Sequence, residues 1–346
     1  MMSQQQINIE KLVEDAMNKI RAFFSARHLD TYNLLDETSI KKGLRFTLLF
    51  LKESIIFDSP AIFYDNVAWF YQSQSRSAVP ETFFLDALST LKEVLEEDQN
   101  VPEKAIAMMD HAITSLPSKV MEQDSFFDHF GVKKELCQSY LDSLLKFQEL
   151  EARSVLNQAL EQLGGLSEVY RKVIQPVQYE VGRLWQAGHV SVTQEHYCTE
   201  VTRKLLSGLM NPLQPVSTES PKFLGLCVEG ELHSMGIQMV CDAIILGGYP
   251  AIFLGGNAPF TGLPELIRNE NVILLGISVS IPYHLHEASE LIQKVKSASL
   301  KRTPKIMVGG LAFNRYPDVW KKVGADIYLP DAASAFEYAQ KLFDQG

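Results

Sequence analysis

With 346 residues, 46% hydrophobic and 21% charged, the chain has the composition of a soluble globular protein and the length for more than one core. A formal net charge of −10 without a basic stripe excludes direct nucleic-acid binding, because an anionic surface repels phosphate. No apolar run approaches the roughly 20 residues of a spanning helix. The start Met1-Met2-Ser3-Gln4-Gln5-Gln6 lacks a signal pattern, and Cys137, Cys198, Cys227 and Cys241 form neither a Cys-x-x-Cys pair nor a disulfide framework. A cytoplasmic protein without a membrane partner is expected.

Ile9, Leu12, Val13, Ala16, Ile20, Phe23 and Phe24 keep helical spacing, as do Leu44, Leu48, Leu49, Leu51 and Ile55. Asp58-Ser59-Pro60 breaks the chain and opens a helix with Phe63, Val67, Phe70 and Tyr71 on its apolar face, and Pro80 and Pro102 open two more. An all-α N-terminal domain over 1–130 is predicted, ending in a polar connector from Pro117 to Phe130. A second helical set over 131–212 reads as a four-helix bundle, with Gly164-Gly165 as a stop, a helix to Gln175, a new one opening at Pro176, and a last one from Val192 to about Leu209. Asn211 to Lys222 reads as a linker. Over 221–346, five short apolar runs alternate with helices: Phe223–Val228, Ala251–Leu254, Val272–Ser278, Lys305–Val308 and Ile327–Leu329. That pattern predicts a flavodoxin-like α/β domain with a parallel sheet covered on both faces.

The most informative stretch is Val228-Glu229-Gly230-Glu231-Leu232-His233-Ser234-Met235-Gly236, a strand-to-helix loop where ligands of such sheets bind. His233 can offer one ring nitrogen to a metal while Glu231 holds the other and sets the tautomer. Alone, a Glu-x-His pair is more often a solvated loop histidine. Here Gly236 opens a helix, and three further loops follow: Leu254-Gly255-Gly256-Asn257-Ala258-Pro259, Gly276-Ile277-Ser278-Val279-Ser280 and Val308-Gly309-Gly310. In this order they resemble the cobalamin-binding domain of methionine synthase, the mutases and the cobalamin-dependent photoreceptors.

The resemblance implies His233 as the lower axial ligand of cobalt and Glu231 as its hydrogen-bonding partner. It implies that Ser278, Gly309 and Gly310 line the slot for the displaced dimethylbenzimidazole tail, with Asn257 and Ser280 also in the cofactor site. At Gly236 and Gly310 the missing Cβ would let backbone approach the ligand closely. Glu replaces the commoner Asp, and Ser278-Val279-Ser280 stands where the family has Ser-x-Leu.

Trp185, Glu195 and His196 have a bland reading, a helical hairpin with a core Trp and a solvated or capping Glu-His pair. Next to a cobalamin domain they resemble the helical cap of cobalamin-dependent photoreceptors, which implies Trp185 against an adenosyl group, Glu195 on the ribose hydroxyls and His196 beside them. In the carotenoid-regulating members a histidine follows the Trp and takes the vacated upper position; here it is Gln186, leaving water, His196 or His189. Asp58 to Phe70 resembles the amino-terminal region of photocobilins, which pair cobalamin with biliverdin. A packed spacer or dimerisation module is the equal alternative. Lys41, Lys42, Arg45 and Arg76 would serve bilin propionates, and no cysteine precedes Cys137 to make a thioether. His284-x-His286 lacks a third metal ligand. No dinucleotide fingerprint, P-loop lysine, Ser-His-Asp order or zinc spacing is present.

The function expected from the resemblance is a cytoplasmic light sensor, not an enzyme, that binds adenosylcobalamin base-off, with biliverdin as the candidate second pigment. Photolysis of the Co–C bond would change domain or quaternary arrangement, with self-association and a downstream protein partner. The alternatives are a corrinoid methyl-carrier subunit of a methyltransferase system and a light-independent cobalamin-responsive interaction protein.

Overall fold

The computed structural model describes residues 8–27, 37–74, 81–116, 124–128, 133–210 and 220–345. Arg76, Pro80 and parts of both expected connectors lie outside them. The chain divides into two compact units, 1–122 and 123–346, so the second helical set and the sheet belong to one body. Among the described residues no helix is long and apolar enough to cross a membrane.

The first unit contains α1 (Ile9–Arg27), α2 (Glu37–Ile56), α3 (Pro60–Gln74), α4 (Glu81–Glu97) and α5 (Glu103–Ser115). Leu12, Ala16, Met17, Ile20, Leu48, Leu51, Ile62, Phe63 and Leu91 fill its core, the expected helical faces among them. Asp58, in the left-handed region at φ 43°, makes the turn into α3.

The second unit begins with α6 (Lys134–Leu145) and α7 (Glu149–Leu163). α8 (Leu166–Val169) then runs through a π segment, Tyr170–Ile174, directly into α9 (Gln175–Gln186). The break expected at Pro176 is therefore a widening, not an end. Pro176 has no N–H for the carbonyl of Lys172 four residues back, and its ring crowds that carbonyl. The helix answers with a longer bond, Gln175 N to the Tyr170 carbonyl. The Lys172 carbonyl accepts the Cys137 thiol at 3.2 Å instead. α10 (Val192–Leu209) starts on a capping box, Ser191 and Gln194 exchanging side-chain and backbone bonds.

The sheet carries β1 (Lys222–Cys227), β2 (Ala251–Gly255), β3 (Val272–Ser278), β4 (Lys305–Gly309) and β5 (Ile327–Tyr328), all parallel in the order β2-β1-β3-β4-β5. This is the flavodoxin order, with a switch point between β1 and β3. The register sets Cys227 opposite Ser278 and Ser278 opposite Gly309, so three loops open side by side at the carboxyl ends. β3 is buried at every residue, as a central parallel strand requires. The crossovers are α11 (Met235–Leu246), α12 (Leu263–Asn269), α13 (Leu285–Ser297), α14 (Leu311–Arg315) with α15 (Val319–Lys322), and the closing helix is α16 (Ala332–Phe343). Ile237, Val240, Cys241 and Ile244 of α11 enter the sheet core. Met239 enters the core of the helical layer instead, which is why the two layers form one unit.

Candidate functional site

β1 ends at Cys227, and the loop before α11 turns through Gly230 at φ 84°, a conformation open to glycine. Glu231 points inward and is fully buried. Its Oε1 accepts from His233 N at 3.0 Å and lies 2.5 Å from His233 Nδ1, and its Oε2 accepts from Ser280 N at 2.8 Å and Ile281 N at 3.0 Å. Burial opposes the charge, but the His233 ring and the N–H groups of Ile281 and His233 outweigh it and hold the carboxyl at about 2. The carboxylate is thus ionised, and it keeps a proton on Nδ1 and leaves Nε2 free as a donor. The same bond raises the pKa of His233 against burial, and the field of Glu195 adds to it. The imidazole itself is 57% exposed.

A neighbouring loop locks this one. Asn257, left-handed at φ 52°, accepts from Gly230 N at 2.8 Å through Oδ1 and donates its own N–H to the Glu231 carbonyl at 2.8 Å. Asn257 therefore holds the loop through both its side chain and its backbone. Gly256 lets the strands' loops meet, since a Cβ there would lie 2.9 Å from the Glu231 carbonyl oxygen. Ser280 contributes its backbone N–H to Glu231.

Ser278 is buried at the end of β3. At Gly310, φ is 99° and a Cβ would meet the Val279 carbonyl oxygen at 2.5 Å, so this glycine is required by the protein's own packing rather than by a ligand. Gly309 likewise faces the Leu329 carbonyl oxygen, 2.9 Å from where a Cβ would stand. Gly236 is the opposite case: a Cβ there meets nothing within 4 Å, leaving open space one turn from His233. Behind Ser278 the sheet face is filled, a Cβ on Gly276 meeting the Phe223 ring at 2.5 Å and one on Gly225 the Cys241 Sγ at 2.6 Å.

From the helical layer, Trp185 ends α9 exposed, and Glu195 and His196 sit in the first turns of α10, half-buried and exposed. Glu195 lies near enough to influence His233, and its Oε1 accepts from Thr199 at 3.1 Å. His284 is buried against Gly230 with no hydrogen bond from either ring nitrogen, Nδ1 lying 4.0 Å from Glu287, while His286 pairs with Glu290. Burial pushes the Cys198 thiol up to about 11 and those of Cys137 and Cys227 up to about 12, so none is a thiolate at neutral pH.

Among the described residues no three His, Cys, Asp or Glu side chains converge to hold a metal. His233 is a single oriented nitrogen beside open space. It fits a metal that brings its remaining ligands with it, as cobalt in a corrin does. The sequence did not point to the backbone of Ser280 and Ile281 as the carboxylate's anchor, nor to Gly230, whose φ is the trace such a turn leaves.

Two family models, both described as B12 binding domain, match residues 136–209 and 221–339. Dimethylamine corrinoid protein 2 of Methanosarcina acetivorans is 24% identical over 61% of this chain and 97% of its own length. The dimethylamine corrinoid protein of Methanosarcina barkeri is 26% identical over 61% and 98%. In fold, 61% of the chain superposes on all of the Methanosarcina barkeri monomethylamine corrinoid protein, with a TM-score of 0.51 and 18% identity.

The expectation of a light sensor does not stand, because relatives matched over nearly their whole length are corrinoid proteins of methylamine systems. Trp185 with Glu195-His196 fixes a helix end and the next helix start, which is not enough to specify an adenosyl ligand or light. Of the cations assigned to a bilin, Lys41 pairs with Glu14 and Arg45 with Glu10. What the matches and the geometry establish together is that residues 136–339 carry a helical and an α/β B12-binding domain in tandem, whose cofactor is a corrinoid.

Proposed function

We propose that this chain is a corrinoid methyl carrier. It holds the cofactor through His233 and presents it to a separate methyltransferase rather than catalysing the transfer itself. The observation that carries the reading is the buried, four-fold hydrogen-bonded Glu231 behind an exposed imidazole. When bound, the corrinoid supplies a cobalt that accepts and gives up a methyl group. Glu231 holds the Nδ1 proton of His233 and so would keep Nε2 as the lone pair that binds the cobalt. Gly309 and Gly310 hold the loops at the ends of β3 and β4 against the Leu329 and Val279 carbonyls, with Ser278 beside them. Gly236 leaves room beside His233, and Asn257 with the Ser280 N–H keeps the loop in place. Trp185, Glu195 and His196 border the cofactor from the helical layer, where Trp185 would keep water from the metal. The methylamine corrinoid relatives favour a methylated-amine system as the source of the methyl group.

The test is methyl uptake. The chain loaded with reduced cobalamin, given dimethylamine and a dimethylamine methyltransferase, should develop the methylcobalamin spectrum, and His233→Ala should do so at most slowly. A wild-type protein that takes no methyl group from any methylated amine, yet binds adenosylcobalamin selectively, would overturn the reading.

A further inference from the structure

The helix that starts beside His233 is gripped from two sides. One face of α11 lies in the sheet core through Ile237, Val240, Cys241 and Ile244. On the other, Met235 and Met239 pack into the helical layer. Asp242 follows them on the same stripe, four and then three residues further on. Methionine contacts are soft and non-directional and would allow one layer to slide over the other. A hydrogen bond does not: the Tyr170 hydroxyl donates to Asp242 Oδ2 at 2.7 Å, with both residues buried. Burial keeps the phenol protonated and so makes it the donor. Tyr170 is also the first residue of the π segment that Pro176 imposes, so the widened turn lies where the helical layer reaches for α11.

We infer that Tyr170 and Asp242 are positioning residues for the cofactor site: their hydrogen bond sets the register of α11 against the helical layer, and through α11 the place of His233. The inference rests on the reading of His233 as the cobalt ligand. A helix is stiff along its axis, with about 1.5 Å of rise per residue, so a slip at Asp242 arrives undiminished at Met235, two residues from His233. One directional pair within an apolar contact is the arrangement by which buried polar groups specify register. The same register decides how close Glu195 comes to His233, since α10 and the Tyr170 helix belong to one layer.

The test uses the full chain, its histidines labelled with nitrogen-15, saturated with cobalamin and reduced to the cobalt(II) state. A labelled histidine on the lower face splits each electron paramagnetic resonance line into a doublet, whereas the unlabelled nitrogen of the cofactor's own dimethylbenzimidazole gives a triplet, and the nitrogen-bound fraction is the share with the doublet. His233→Ala is the reference and should lose the doublet; if it does not, the ligand assignment fails and not this inference alone. Tyr170→Phe keeps the ring and removes only the hydroxyl. We expect a folded protein with the nitrogen-bound fraction at least halved and cobalamin bound about 10-fold more weakly, the lower end of what supporting residues around a metal ligand cost. Asp242→Asn retains an oxygen for Tyr170 and should stay near wild type in both. Tyr170→Phe with the wild-type nitrogen-bound fraction, even at reduced thermal stability, overturns the inference. So does Asp242→Asn losing as much as Tyr170→Phe, because the acceptor would then not be what matters.

Discussion

His233 feels two carboxylates that are held in opposite ways. Glu231, on the sheet side, is fully buried and takes four hydrogen bonds, three of them from backbone N–H groups. Glu195, on the helical side, is half-buried and meets the Thr199 hydroxyl. Backbone donors cannot rotate away, whereas a hydroxyl can turn to another acceptor, and the Gln178 side-chain Oε1 lies 3.5 Å from the same Thr199 oxygen. The difference teaches that the sheet side orients the imidazole, while the helical side supplies a field that can be adjusted without moving it.

Glu231→Ala should break this contrast most severely. It strands three backbone N–H groups and the Nδ1 proton, a loss of about 2–4 kcal/mol of stability in urea melts, and cobalamin affinity should fall about 100-fold. A cost no larger than that of Glu195→Ala would mean the two carboxylates do not differ as described.

Gly310→Ala asks whether the sheet side owes its rigidity to backbone packing. At φ 99°, with the Val279 carbonyl oxygen 2.5 Å from the new Cβ, the expected cost is about 1–3 kcal/mol by thermal melting. A neutral substitution would show that the loops at the ends of β3 and β4 yield easily.

Acid provides a milder probe of the helical layer, which has a buried carboxylate of its own. Glu180 is buried, accepts from Phe126 N at 3.0 Å and pairs with Arg183. Burial opposes its charge, but the Arg183 guanidinium and the Phe126 N–H win and lower its pKa. A lowered folded value means that its stabilisation is complete above the unfolded carboxylate value and is lost as pH falls through the folded one. Below pH about 4.3 the second unit should therefore weaken. Glu180→Gln should remove a part of that acid slope, on the order of 1 kcal/mol, as read from melts across the pH range.

Glu195→Gln should be the smallest effect, within about 0.5 kcal/mol in stability. The ring resonances of His233 should titrate at slightly lower pH, because a carboxylate that favours the imidazolium is gone. A drop as large as that from Glu231→Gln would erase the distinction between the two sides.

Much of this molecule is legible in the order of its residues. Short apolar runs bounded by Gly and polar residues read as parallel strands, and each of the five appears where its run lies, although only the central β1, β3 and β4 are largely buried while the edge strand β2 leaves Phe253 and Leu254 exposed. The loop with Glu231 and His233, and the glycine-rich loops after β2, β3 and β4, fall at strand ends for the same reason. Pro176 is legible as a disturbance, but whether a proline ends a helix or widens it depends on a partner for the freed carbonyl. Cys137, 35 residues away, supplies it.

What only the tertiary structure decided is who holds whom. Glu231 is anchored by N–H groups 49 and 50 residues away, and a backbone donor is chemically the same in every residue but proline, so it leaves no mark in the residue types. Tyr170 and Asp242, 72 residues apart, read as one core aromatic and one polar helix position until packing of the two layers desolvates both and makes their hydrogen bond directional. Sequence alone therefore determined the strands, the loops and the place of Glu231 and His233 at a strand end, through local patterns of hydrophobicity and turn chemistry. Burial and distance, which belong to the packed molecule, decided how firmly that histidine is held.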